Sequence, residues 1–200
     1  MLAMHFFGFV FMLIPQTAPL FISLTPLNLI ISAFFLLLWH EDFDRKFIYF
    51  ALSAFSIGFF VEWLGVHTGL IFGKYEYGKT LGFAIDGIPL MIGVNWFVLT
   101  YCSNQFAQNF VTKKYSPFAA AAIMTFLDVF IEPTAIRFDM WHWYGKMPPL
   151  QNYIAWFFVS LLISFLFQIW VSKQKNHFAM LLLAAQFLFF LGFYVYYSIC

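Results

Sequence analysis

The sequence predicts an all-α fold, a polytopic integral membrane bundle of about seven transmembrane helices. Three observations predict it. Hydrophobic residues make up 63% of the 200-residue chain and charged residues 10%, far from the roughly 25% charged residues of a soluble domain. Stretches of about 20 mainly apolar residues recur, the length that crosses ~30 Å of hydrocarbon at ~1.5 Å per residue. All ten Lys and Arg fall between or at the edges of those stretches. The stretches lack the short alternation of a barrel, and unpaired backbone is not tolerated in lipid, so helices are required. With no linker or low-complexity segment, residues 1–200 read as a single integral membrane domain.

The elements follow in order. Met4 to Trp39 is apolar but broken by Pro15, Pro19 and Pro26; it fits two short kinked spans or one span with a re-entrant piece, and the first option completes seven helices. Five clear spans come next: Phe47 to Ile71, Ile85 to Phe106, Phe118 to Ile136, Tyr153 to Val171 and Phe178 to Ile199. Arg45, Lys46, Lys113, Lys114, Lys173 and Lys175 then lie on one side of the membrane, and Lys74, Lys79, Arg137 and Lys146 on the other. The excess marks the first side as cytoplasmic. The absence of Lys and Arg before the first apolar stretch argues against a cleaved signal peptide.

Several function classes are excluded. A net charge of +1 offers no basic stripe for nucleic acid. Cys102 and Cys200 give neither a disulfide framework nor metal spacing. The five histidines are dispersed, without two on one helix face at metal-ligand spacing, and no dinucleotide fingerprint follows a strand. Gly73 to Thr80 reads GKYEYGKT and satisfies the phosphate-loop pattern. It follows a membrane helix rather than a buried strand and is read as coincidence. The expected chemistry is acid–base, without metal or other cofactor.

The polar residues do not scatter. Glu62, His67 and Thr68 sit late in the 47–71 span, and Asp128 and Glu132 late in the 118–136 span. Asp86 and Asn95 sit early in the 85–106 span, and Asn152 begins the next. In the seven-helix topology these ends share one membrane face, joined by two aromatic loops, 73–82 and 138–151. An intramembrane carboxylate is expensive, about 2.5 kcal/mol or more at the bilayer centre, and so marks function by default. Asp128 and Glu132 are four apart and share a helix face. An apolar surround favours the neutral acid, and a neutral carboxylic acid in such a pocket is a competent general acid. Glu62, Asp128 and Glu132 are therefore the candidate catalytic residues. His67, Tyr75, Tyr77, Asp86, Asn95, Trp96, Trp141, Trp143, Tyr144, Asn152 and Trp156 are the candidate substrate-binding residues. The loop aromatics among them suit an interfacial belt equally well residue by residue, but their concentration near the acids favours binding, because ring faces stabilise positive charge.

Three smaller features carry expectations. Pro133 after Glu132 predicts a kink or helix end. Gly65 and Gly69 form a small-xxx-small pair suited to close helix packing. Pro89-Leu90 with Trp96 and Pro149-Leu150 with Trp156 repeat at identical spacing, each after a Glu-bearing helix and an aromatic loop, as a parallel duplication or as chance.

The motif string Glu62-Trp63, Thr68-Gly69-Leu70-Ile71-Phe72-Gly73-Lys74-Tyr75-Glu76-Tyr77, Gly87-Ile88-Pro89 and Trp96 resembles the carotenoid biosynthesis protein family, as does the block Asp128, Glu132-Pro133, Trp141-His142-Trp143, Tyr144-Gly145, Pro149, Asn152 and Trp156. That family includes CruF-type carotenoid 1,2-hydratases and bacterioruberin-pathway hydratases. The resemblance covers residues 59–157, and Ala155 departs from the glycine expected before the tryptophan. It implies hydration of the terminal double bond of an acyclic carotenoid: protonation, a tertiary carbocation, then capture by water. Glu62 or Asp128 would donate the proton, Glu132 or its neighbour would position water, and Trp96, Trp141, Trp143 and Tyr75 would line the cation pocket. The implied surroundings are membrane lipid and the cytoplasmic membrane of a prokaryote, with the site on the non-cytoplasmic face. Association with other carotenoid-pathway enzymes stays open. A carotenoid end-group cyclase and a non-catalytic carotenoid or lipid carrier are the alternatives.

Overall fold

A computed structural model of the chain describes residues 1–145, 147–171 and 175–199. Lys146, Lys173 and Cys200, assigned above from sequence, lie outside the described residues. The structure is an all-α membrane bundle with eight helices among the described residues: α1 (Leu2–Leu13), α2 (Ala18–Ser23), α3 (Thr25–Leu38), α4 (Arg45–Thr68), α5 (Leu90–Ala107), α6 (Ser116–Arg137), α7 (Leu150–Trp170) and α8 (His177–Ile199). Four of them, α4, α6, α7 and α8, are long and apolar enough to cross a membrane. The 4–39 segment forms two shorter apolar helices, α1 and α3, with the single-turn α2 between them.

Local chemistry sets the boundaries. Asp44 caps α4 by accepting the Phe47 N–H at 2.7 Å, and Gly69 closes it in the left-handed conformation at φ 67°, which glycine adopts without a Cβ penalty. The expected end at Ile71 therefore falls three residues earlier. Pro133 does not end its helix: α6 carries it inside and runs on to Arg137. The close helix approach expected at Gly65 and Gly69 lies elsewhere. A Cβ on Gly65 would meet the Phe72 ring of the following loop, whereas a Cβ on Gly58 would meet the Trp96 side chain of α5 at 2.4 Å.

The largest departure is at Ile85. The α5 helix begins at Leu90, and residues before it fold into a hairpin, β2 (Ala84–Ile85) paired antiparallel with β3 (Ile88–Pro89). Asp86 and Gly87 form the two-residue turn with φ 51° and 81°, the positive values that an Asp-Gly hairpin turn requires. Asp86 is thus a turn residue, not an early helical one. The two aromatic loops also order: β1 (Tyr75–Tyr77) and β4 (Trp141–Trp143) pair antiparallel, with Tyr75 opposite Trp143 and Tyr77 opposite Trp141.

Helix α5 is central, touching α3, α4, α6, α7 and α8, while α1 packs on α8. Most of α5 is buried, including its polar residues Thr100, Ser103, Asn104 and Gln105. Large apolar side chains on the other helices, such as Phe60, Phe126 and Phe158, are exposed, as a lipid-facing surface requires. The β1–β4 ribbon closes one end of the α4–α7 group.

Candidate functional site

The three acids are brought together under the ribbon. Glu62 on α4, Asp128 and Glu132 on α6 are all buried, with at most 3% of their surface exposed. Glu62 and Glu132 line one small cavity together with Phe72, Tyr75, Tyr77, Ile92, Trp141, Trp143, Asn152 and Trp156. Its volume of about 10 Å³ is close to the least that holds one water molecule.

Each glutamate is held by three donors, and the two sets differ in kind. Glu62 accepts the hydroxyls of Tyr75 and of Tyr77 (2.6 Å) on Oε2, and the Trp96 indole N–H on Oε1 at 3.0 Å. Glu132 accepts the indole N–H groups of Trp141 (3.0 Å) and Trp143 (2.8 Å) on Oε2, and the Asn152 amide on Oε1 at 3.0 Å. The alternation of β1 and β4 explains the pattern: residues i and i+2 of a strand face the same way, so Tyr75 and Tyr77 reach one acid, Trp141 and Trp143 the other. Burial, and then the charge of Glu62, pushes both tyrosine phenols well above their usual range. They keep their protons and can donate or accept, whereas an indole can only donate.

Asp128 stands behind this shell. It shares the Asn152 amide with Glu132, accepting it on Oδ2 at 3.0 Å, and its Oδ1 has no hydrogen-bond partner among the described residues. It does not line the cavity. Trp96 and Trp156 stack with ring centroids 4.5 Å apart and planes at 24°. The repeat read in the sequence has a structural counterpart: each half runs acid-bearing helix, strand, proline N-cap and tryptophan-bearing helix, and the paired tryptophans meet at the centre.

Other candidates lie apart. His67 and Asp86 pair at 3.2 Å on the exposed rim, where Asp86 also accepts the Trp63 N–H at 2.7 Å. Tyr144 is exposed and donates to Glu76 at 3.0 Å. Asn95 lines a different cavity. Sequence reasoning passed over Phe72 and Ile92, both in the cavity wall; Phe72 lies against Gly65 of α4, a contact that the sequence alone does not announce. Among the described residues no group of His, Cys, Asp and Glu is arranged to hold a metal ion.

The model of a family described as carotenoid biosynthesis protein matches residues 10–200, well beyond the 59–157 region that carries the motifs. A bisanhydrobacterioruberin hydratase of Haloarcula japonica is 28% identical over 121 residues, which cover 53% of this chain and 39% of the relative. The matched region thus spans about two-fifths of the length of that relative. No solved structure matches the chain.

Proposed function

From the premise that this chain belongs to the carotenoid biosynthesis protein family, whose role implies a carotenoid substrate, we propose that it hydrates the terminal double bond of an acyclic carotenoid. The observation that carries the reading is the pair of buried glutamates facing one aromatic, water-sized cavity, one held by two hydroxyls and an indole and the other by two indoles and an amide.

Glu62 is the proton donor. Its tyrosine partners can reverse from donating to accepting, so the carboxyl can hold a proton and release it to the less substituted alkene carbon. The tertiary cation that results lies among Trp141, Trp143, Trp156 and Tyr75, whose ring faces favour positive charge. Glu132 is the base. Both indole N–H groups can only donate, and so keep it as a carboxylate acceptor, suited to orient a water and take its proton as oxygen bonds to the cation. One water is added across the double bond, and the cycle closes when the proton returns from Glu132 to Glu62 across the cavity. Asn152 and Asp128 position Glu132.

A cavity of about 10 Å³ does not admit an isoprenoid end, so the site enlarges when substrate binds. The charge bias read from the sequence supports a site on the non-cytoplasmic face of a prokaryotic cytoplasmic membrane. The test is expression in a lycopene-making bacterium with mass analysis of the pigments. Hydration adds the mass of one water per end, and Glu62→Gln abolishes the addition. Unchanged mass with altered absorption points to cyclisation instead, and unchanged pigment from folded protein, with other acyclic carotenoids also tried, refutes an enzymatic role on these substrates.

A further inference from the structure

A second and larger cavity adjoins the site. It measures about 240 Å³ and is lined by side chains from α1, α2, α3, α5 and α8, against about 10 Å³ between the acids. Their linings include near neighbours in the chain. Asn95 and Met140 line the larger one, while Ile92 of the same helix and Trp141, next in sequence to Met140, line the smaller. The lining of the larger cavity is mainly hydrocarbon, including Met12, Leu29, Phe189 and Phe190.

One buried group does not suit a purely hydrocarbon occupant. Gln186 of α8 lines this cavity and is 5% exposed, and its Oε1 has no hydrogen-bond partner among the described residues. An unpaired buried amide oxygen is costly, and the hydrocarbon of a bilayer supplies no water to relieve it. A donor that arrives with a ligand removes that cost.

We propose that this cavity binds the hydroxyl-bearing end of an otherwise hydrocarbon isoprenoid, with the Gln186 side chain, which lines the cavity, turning its enclosed Oε1 to accept the hydroxyl hydrogen. The ligand's identity rests on the hydratase reading, because hydration of one end of an acyclic carotenoid produces such a molecule. A plain acyl chain fills the walls but leaves Gln186 unpaired. A lipid headgroup brings charge into a lining that holds no Lys, Arg, Asp or Glu. The cavity thus gives the protein a place to hold a half-hydrated carotenoid beside the site that made it.

The test is a binding titration of the purified full-length chain in lipid nanodiscs, in a Glu62→Gln background that blocks turnover, with lycopene and with its monohydroxylated derivative as probes. Gln186→Leu keeps the bulk and removes the acceptor. It is expected to weaken binding of the monohydroxylated carotenoid about tenfold, the factor that corresponds to the ~1.4 kcal/mol of one hydrogen bond, and to leave lycopene within about twofold. Gly8→Leu projects into the same cavity, since a Cβ there meets only the Phe189 ring at 3.6 Å, and weakens the monohydroxylated compound as well. Equal loss of both probes in Gln186→Leu, or no loss of the hydroxylated probe in either variant, overturns the proposal. Hydration in cells without Gln186-dependent binding sinks this site alone. Gln186-dependent binding without hydration sinks the hydratase reading and leaves the site standing.

Discussion

Replacing each glutamate by glutamine separates the two halves of the site. The amide of Glu62→Gln turns its oxygen toward the Trp96 N–H, 3.0 Å away, and its NH₂ toward the hydroxyls of Tyr75 and Tyr77. Hydroxyls rotate and accept, so no donor is left facing another. Glu132→Gln is harder to satisfy. Its NH₂ faces either the Trp141 and Trp143 N–H groups, which only donate, or the Asn152 amide, which can accept only by turning over and giving up its bond to Asp128. Either a buried donor pair is left opposed or that bond is lost, at a cost of about 1–3 kcal/mol. For a chain of this size ~1 kcal/mol moves the melting temperature by about 2–4 °C, so a cost of ~2 kcal/mol lowers it by roughly 4–8 °C. Glu62→Gln is expected to melt within ~2 °C of the native protein, yet to lose the ~10²–10⁴-fold that general acid catalysis supplies. The measurements are thermal melts followed by intrinsic tryptophan fluorescence in one detergent, and pigment conversion by mass. Equal melting temperatures for the two variants, or a less stable Glu62→Gln, refute the assignment of donor and acceptor roles.

Three further outcomes follow from the same geometry. Gly78→Ala places a Cβ 2.1 Å from the Asp139 carbonyl oxygen, which forces β1 from β4. Conversion should fall at least tenfold (~1.4 kcal/mol) while the helical circular dichroism stays unchanged. Gly58→Ala drives a methyl into Trp96 and should cost about 1–3 kcal/mol of stability, read as a lower melting temperature. The hydrogen bond from His142 holds the exposed Asp139 carboxyl below its ordinary 3.8. Its folded-state value is the depressed one, so its contribution to stability is present above 3.8 and is lost as pH falls through that lower value. Asp139→Asn should therefore lower the melting temperature slightly across the neutral range, where that contribution is present, and flatten the acid end of the profile.

The acids were legible because lipid makes them expensive: a Glu or Asp inside an apolar run stands out without any knowledge of its neighbours. The aromatic loops were legible as composition, but their pairing was not. Tyr75 meets Trp143 and Tyr77 meets Trp141 across three-residue strands that carry too little alternation to announce themselves. Asp86 had a signal that went unused, an Asp-Gly pair between Ile85 and Ile88, because the apolar residues around it continued smoothly into α5. Asn95 shows a different limit. One residue is ~100° of helix rotation, and periodicity in a helix buried on nearly every side, as α5 is, does not say which neighbour a given position faces.

The near-symmetry of the two halves bears on which glutamate takes which task in the proposed reaction. If tyrosines served both, either could release or capture a proton, and the two would be interchangeable. The indole pair on β4 removes that equivalence. A fold whose backbone nearly repeats itself tells its two acids apart through two residues of one strand, and exchanging the Tyr75/Tyr77 and Trp141/Trp143 pairs would exchange the acids' roles while the overall equilibrium stayed where it was.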